Sequence, residues 1–325
     1  MTSRRAPGTG GRPSFERLSA DSPFVRPTFD IRPHRHLYPF RSNWLRRDGM
    51  VLHYLDEGSG EPLVLVHGNP TWSLFFRALI PVLAPRYRLV APDHLGCGLS
   101  SRPRAREFDY SAEAHVDNLE DLLDHLGLEA NVTLVLHDWG GVIGMACACR
   151  RPERISRIVL LNTAAFLMPA GKRLPWPLRF IKTTPFLPEL LVLGLNAFSL
   201  GATHMATSQG MPKDVRRAYT APYNSWHNRI ATLRFVRDIP VTPRDSSYGL
   251  VSRLGRQLSA FHETPMLICW GERDFVFDRT ILEEWRRRFP AAAVHTFPDA
   301  GHYLLEDAPE PVIDRITGFL KRHPL

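Results

Sequence analysis

The sequence has no apolar run able to cross a bilayer. The longest candidate, Pro185 to Leu200, is broken by Pro188, Glu189, Gly194 and Asn196, whereas a span needs about 20 apolar residues. A secretory signal is also missing, because MTSRRAPGTGGRPSFERLSADSP is interrupted by charge and proline throughout. Cysteine is scarce: Cys97, Cys147, Cys149 and Cys269 are the four in 325 residues, and none shows paired metal-ligand spacing. That excludes a disulfide scaffold and favours reduced, buried thiols and a cytoplasmic location. A basic stripe interleaved with aromatics is absent too. The net charge of +8 comes from 41 Lys+Arg against 33 Asp+Glu. Residues 1–36 hold seven Arg and three acidic residues, about half of the excess, so nucleic acid is not the expected partner. This arm reads as a flexible N-terminal extension rather than a transit peptide, since Glu16, Asp21 and several glycines interrupt it.

From about residue 37 the pattern changes. Trp44–Arg46 and Val51–Leu55, joined by Arg47-Asp48-Gly49, predict an antiparallel opening. Buried-type runs follow at Leu63–Val66, Tyr87–Ala91, Val132–Leu136, Ile158–Leu161, Met266–Trp270 and Val294–Phe297, apolar on both faces as interior parallel strands are. Helical spacing intervenes: Val116, Leu119, Leu123 and Leu126 stop at Gly127, Ile281, Trp285 and Phe289 precede Pro290, and Val312, Ile316 and Phe319 close the chain. The reading is an α/β protein with a mostly parallel, eight-stranded sheet. Its core comprises residues 37–165 and 260–325, and residues 166–259, Pro-punctuated and strandless, form a helical cap over the carboxyl edge where open α/β sheets bind ligands.

The strand Val132–Leu136 runs through His137-Asp138-Trp139-Gly140-Gly141 into a helix of small residues, the shape of a nucleophile elbow. In G-x-S-x-G terms Asp138 takes the nucleophile position, Gly140 is the later glycine and Leu136 replaces the earlier one. A bland alternative is that Asp138 only caps the helix. Its company argues otherwise. His67-Gly68-Asn69-Pro70 follows an earlier strand and offers a backbone N–H that, with the N–H of Trp139, makes an oxyanion hole. Gly271-Glu272-Arg273-Asp274 and Asp299-Ala300-Gly301-His302 follow later strands, and the order nucleophile, acid, base is that of the α/β-hydrolase fold. Asp278 reads as a helix cap, and no carboxylate lies between Glu153 and Glu189 to serve from the strand ending at Asn162. The predicted catalytic set is therefore Asp138, His302 and Asp274.

Through His67-Gly68-Asn69-Pro70-Thr71-Trp72-Ser73, Pro92-Asp93-His94-Leu95-Gly96-Cys97-Gly98, His137-Asp138-Trp139-Gly140-Gly141 and Asp299-Ala300-Gly301-His302, the sequence resembles the haloalkane dehalogenases from about Leu37 to its end. The likeness implies that Asp138 displaces halide to form an alkyl ester, that Asn69 and Trp139 hold the departing anion, and that His302 activates the hydrolysing water. Phe166 is counted with the substrate pocket. The Asn/Trp pair, with Asn162-Thr163-Ala164-Ala165-Phe166 and Asp274-Phe275-Val276-Phe277-Asp278, marks a subfamily that also resembles the β-lactone decarboxylases of bacterial long-chain olefin synthesis.

Dehalogenation of a small apolar substrate, releasing halide without cofactor or metal, is thus the first reading. Its alternative is a lactone decarboxylase working beside partner enzymes of an olefin pathway. Epoxide hydrolases use two cap tyrosines, for which Tyr219 and Tyr223 offer themselves, but they usually carry an aromatic residue at the Asn69 position. Fluoroacetate dehalogenases keep an Arg pair where this chain has Trp139 and Val142. A non-catalytic ligand-binding protein would show an eroded triad, and this one is intact. The apolar residues of Pro185–Leu200, among them Phe186, Leu187, Leu190, Leu191, Leu193, Leu195 and Phe198, suit a tunnel for long chains.

Overall fold

The computed structural model describes residues 15–325. Nine strands run in chain order: β1 Phe15–Leu18, β2 Ser42–Arg47, β3 Met50–Glu57, β4 Glu61–Val66, β5 Tyr87–Pro92, β6 Val132–Asp138, β7 Ile155–Thr163, β8 Met266–Gly271 and β9 Ala293–Phe297. The α-helices are α1 Leu79–Leu83, α2 Ala112–His125, α3 Trp139–Arg150, α4 Trp176–Thr183, α5 Leu187–Glu189, α6 Ala197–Met205, α7 Lys213–Thr220, α8 Ile230–Arg237, α9 Tyr248–Gln257, α10 Arg279–Arg288, α11 Leu304–Asp307 and α12 Pro309–Arg322.

One sheet holds every strand in the order β1-β2-β3-β5-β4-β6-β7-β8-β9. The pairs β1/β2, β2/β3 and β3/β5 are antiparallel and the others parallel. The first hairpin turns on Asp48 and Gly49, both at positive φ (48° and 80°), as the tight Asp-Gly hairpin turn requires. Interior strands divide their side chains between two cores. Val64, Val66, Leu134, Leu136, Ile158 and Leu160 face α2 and α3, and their neighbours Leu63, Leu65, Val135, Val159 and Leu161 face α1 and α12. This period-two alternation, apolar on both sides, is why the runs were legible as buried strands.

Two differences from the sequence reading stand out. The sheet has nine strands rather than eight, because the predicted flexible extension contributes one. Its residues 1–14 lie outside the described residues, but Phe15–Leu18 pairs with β2, and Leu18 packs with Trp44 and Val51. Phe29 is buried with its ring 5.8 Å from that of Trp72. Glu16 and Arg17 hide the strand from any hydrophobicity pattern, since only its two ends, Phe15 and Leu18, pack against apolar neighbours. The other difference is β9, which is half-exposed along its whole length because it forms the free edge of the sheet.

Between β7 and β8 the chain is entirely helical, from α4 to α9. The last of these belongs with the sheet: Val251 and Leu254 of α9 join the core cluster of α2 and α3. The roof proper comprises α4 to α8, with a single π-helical turn at Leu190–Gly194. No helix among the described residues is long and apolar enough to cross a membrane.

Candidate active site

Strand β6 delivers Asp138 into a turn at φ 52°, ψ −122°, a conformation that an L-residue holds only when its surroundings enforce it. Glycines make those surroundings possible. A Cβ on Gly140 would collide with the Val66 carbonyl, one on Gly141 with the Thr163 hydroxyl, and one on Gly144 with the Leu136 side chain, so α3 can lie close against β4, β7 and β6. The Thr163 hydroxyl donates to the Asp138 carbonyl and pins the turn. Asp138 makes no side-chain cap bond to the helix. Its Oδ1 accepts the backbone N–H of Asn69 at 2.6 Å, and the Trp139 backbone N–H, at the start of α3, favours the charged form of the same carboxylate. The two amides expected to form an oxyanion hole thus converge on one group.

His302, in the loop after β9, places Nε2 3.7 Å from Asp138 Oδ2, while its Nδ1 lies 2.8 Å from Asp274 Oδ2. That bond makes Nδ1 the protonated nitrogen and turns Nε2 toward Asp138. Asp274 is itself held on both oxygens. Oδ1 accepts the N–H groups of Val276 (2.7 Å) and Phe277 (3.1 Å), and Oδ2 accepts the Asn162 amide at 2.9 Å. Its two competitors are elsewhere: Glu272 is exposed, and Asp278 caps α10 through Thr280 and pairs with Lys172.

Burial pushes the Asp138 carboxyl above its usual range, against the opposing pull of the His302 charge and of the Asn69 and Trp139 amides. Burial also works against a charged His302, but the adjacent Asp274 carboxylate, and then Asp138, more than offset it and leave the imidazole pKa raised. The two shifts bring a buried carboxyl that is harder to ionise against an imidazole that is easier to protonate.

Above the pair lies a cavity of about 410 Å³. Asn69, Asp138, Lys172 and His302 are its only charged or amide-bearing side chains, and Lys172 is already paired with Asp278. Trp139 lines the floor beside Phe235, and Phe166 lines the wall with its ring 5.0 Å from that of Trp285. The Asn69 amide gives one N–H to the Thr232 carbonyl of α8 at 3.1 Å, which fixes its plane and leaves the second N–H for the cavity. No cluster of His, Cys, Asp and Glu among the described residues has metal-holding geometry.

The predicted residues Asp138, His302, Asp274, Asn69, Trp139 and Phe166 are all brought together. The cap reading is corrected in part. Leu191 and Phe198 line the cavity, but Phe186, Leu187, Leu190 and Leu195 are exposed, and Leu193 packs against Leu233. Tyr219 donates to Glu306, and the Tyr223 hydroxyl lies 3.4 Å from the Thr71 carbonyl. Neither tyrosine lines the cavity, which removes the acids an epoxide hydrolase needs.

Two residues of the site escaped the sequence reading. Asn162, at φ 38°, both braces Asp274 and accepts the Gly271 N–H at 2.8 Å. An amide ending an otherwise apolar strand was the available signal. His137 holds the His302 carbonyl at 3.0 Å through Nε2 and stacks on Phe75. It stands in the His137-Asp138-Trp139-Gly140-Gly141 motif, but nothing local marks its role.

The α/β-hydrolase fold model matches residues 61–309. A cis-3-alkyl-4-alkyloxetan-2-one decarboxylase of Shewanella oneidensis is 50% identical over 285 residues, covering 87% of this chain and 89% of the relative. Haloalkane dehalogenase 2 of Mycobacterium tuberculosis is 34% identical, covering 88% and 96%. Among solved structures, a haloalkane dehalogenase from Agrobacterium tumefaciens superposes with a TM-score of 0.78 at 25% identity, covering 87% of this chain and 97% of that one. The chain belongs to the α/β-hydrolase fold family, in the branch shared by these oxetanone decarboxylases and the haloalkane dehalogenases.

Proposed function

We propose that the protein is a β-lactone decarboxylase that converts cis-3,4-dialkyl oxetan-2-ones to cis-alkenes and carbon dioxide, with Asp138 as nucleophile. The observation that carries this reading is a cavity lined almost wholly by apolar side chains, in which, apart from Lys172 paired with Asp278, the charged and amide groups gather around one carboxylate that faces anion-binding donors. Half-identity to an oxetanone decarboxylase, against a third to a dehalogenase, favours the lactone over the haloalkane.

The chemistry follows from the groups present. An Asp138 oxygen attacks ring carbon 4 from the side opposite the ring oxygen. The bond from carbon 4 to that oxygen breaks, its electron pair leaves as a carboxylate, and an alkyl ester forms on Asp138. The side-chain N–H groups of Asn69 and Trp139 receive the new anion, as they would receive a halide. In the second step the electrons of the bond between carbons 2 and 3 form the alkene, carbon dioxide departs, and Asp138 leaves as a carboxylate. Backside opening sets the Asp138 oxygen anti to the departing carboxylate, so anti elimination keeps both alkyl groups cis. The two backbone amides and the His302 imidazolium stabilise Asp138 as it leaves.

Haloalkane hydrolysis is the second reading, supported by the same Asn69/Trp139 pair and by a His302 able to deprotonate water toward the ester. A side-by-side assay separates the two. The protein is offered a cis-dialkyl oxetanone and, separately, medium-chain bromoalkanes, and alkene, carbon dioxide and bromide are measured. Efficient alkene release with modest bromide release is expected, and Asp138→Asn should abolish both. Efficient bromide release with no lactone turnover would overturn the decarboxylase reading.

A further inference from the structure

The roof of the cavity carries its own unexplained feature on the outer side. Trp176, Phe186, Leu187, Leu190, Leu200 and Met205 are between 46% and 85% exposed, on a soluble-type fold where large apolar side chains normally occur singly. They lie on consecutive elements: α4 meets α5, α5 meets the π-helical turn, and that turn meets α6. Gly194 of the turn sits against both Leu190 and Trp226, and Trp226 is also half-exposed. On α6, Leu200 and His204 are exposed at helical spacing and lie outside the cavity lining, so that edge of the helix points outward. Phe186, the most exposed of the set, is held at φ 60°, a conformation costly for an aromatic residue. Its turn presents the ring to solvent instead of folding it into the cap.

Charge over the same region has one sign. From residue 154 to residue 213 the only carboxylate is Glu189, and Arg237 neutralises it. Arg173 and Arg179 are exposed there and form no ion pair with any described residue. Exposed aromatic and aliphatic side chains in a segment whose exposed charges are unpaired cations match the apolar boundary and anionic headgroups of a bilayer surface.

The face also surrounds the way in. Trp176 and Met205 are both exposed and both line the cavity, so they stand at its mouth. A cavity of about 410 Å³ lies at the low end of the range of about 300–1,000 Å³ that holds one drug-sized ligand. A lactone whose alkyl chains outgrow it would extend a chain through the mouth onto this face.

We propose that the outer face of α4 to α6 docks on an anionic lipid surface and takes a membrane-dissolved substrate directly through the mouth between Trp176 and Met205. The identity of the substrate rests on the lactone reading above; the docking does not. Flotation of the purified full chain with vesicles of phosphatidylglycerol and phosphatidylcholine in equal parts tests it, beside vesicles of phosphatidylcholine alone. The wild type should float with the anionic vesicles at low salt, less at high salt, and not with the neutral ones. The double variant Phe186→Glu, Leu190→Glu and the double variant Arg173→Glu, Arg179→Glu alter exposed side chains that do not line the cavity. Each should lose vesicle binding about tenfold or more and keep wild-type turnover of a short-chain, water-soluble oxetanone. Turnover of a long-chain oxetanone carried in anionic vesicles should fall in parallel with binding.

Wild-type protein that stays out of the vesicle fraction at low salt would overturn the proposal, as would variants that float as well as the wild type. Self-association or capture of a protein partner that the same substitutions abolish, without vesicle binding, would make the face a protein interface and overturn it too. Failure of oxetanone turnover with intact, variant-sensitive flotation would instead strike the decarboxylase reading alone.

Discussion

His302 titrates in opposite senses with respect to the two candidate reactions, which makes pH a discriminator. The Asp138 carboxyl pKa is raised by burial, so either reaction should fade as pH drops through that raised value and the nucleophile is protonated. The His302 pKa lies above its ordinary position because Asp274 and Asp138 outweigh its burial. Hydrolysis of an alkyl ester needs neutral His302 as base, so bromide release in steady state should rise as pH climbs through that pKa. Decarboxylation needs no water and gains from the imidazolium, so alkene release should fall over the same interval. Rate profiles for both substrates on one preparation check this, and parallel profiles would contradict the distinct roles given to His302. The variant His302→Ala separates the reactions again. With a bromoalkane it should accumulate the Asp138 ester, seen by intact mass. With the oxetanone it should still turn over, about a hundredfold more slowly.

The turn after β4 and the elbow after β6 meet at a distance that only glycine permits. A Cβ on Gly68 would enter the Asp138 carboxylate itself, so the two elements cannot close around Asp138 if residue 68 carries a side chain. Gly68→Ala should therefore remove nearly all activity at a stability cost of about 1–3 kcal/mol. Circular dichroism and thermal unfolding establish the fold, and a variant with wild-type turnover would show that the elbow tolerates a wider gap. Such spacing was partly legible beforehand. The glycines of Gly68-Asn69 and Gly140-Gly141 stood out, but which atom each one makes room for depends on strands far apart in the chain. Asn162 and His137 illustrate the same limit: each acts on a partner more than a hundred residues away, Asp274 and His302 respectively.

The molecule as a whole depends on its N-terminal segment more than its composition suggests. Deleting residues 1–30 removes β1, the Leu18 contact with Trp44 and Val51, and the Phe29 ring from Trp72. Each of the two buried side chains is worth roughly 1.5–3 kcal/mol, and Trp72 ends the turn that carries Asn69. The truncated chain should melt several degrees lower and lose activity, measured by thermal unfolding and oxetanone turnover. An unchanged melting temperature would show that β1 is dispensable.

The interior strands and the positions of Asp138, Asp274 and His302 in the chain were readable from local pattern, because each interior strand is a short apolar run and each of the three residues ends one or lies within five residues of its end. Parallel strands bring their carboxyl ends to one edge, so chain order alone implied that Asp138, Asp274 and His302 would meet there. The ninth strand, the bracing roles of Asn162 and His137, and the division of cap residues into lining and surface were not readable. Phe198 and Phe186 sit in the same apolar stretch, yet one lines the cavity and the other lies 85% exposed. Hydrophobicity says that a side chain prefers an apolar contact; which contact it finds depends on neighbours that only the closed fold supplies.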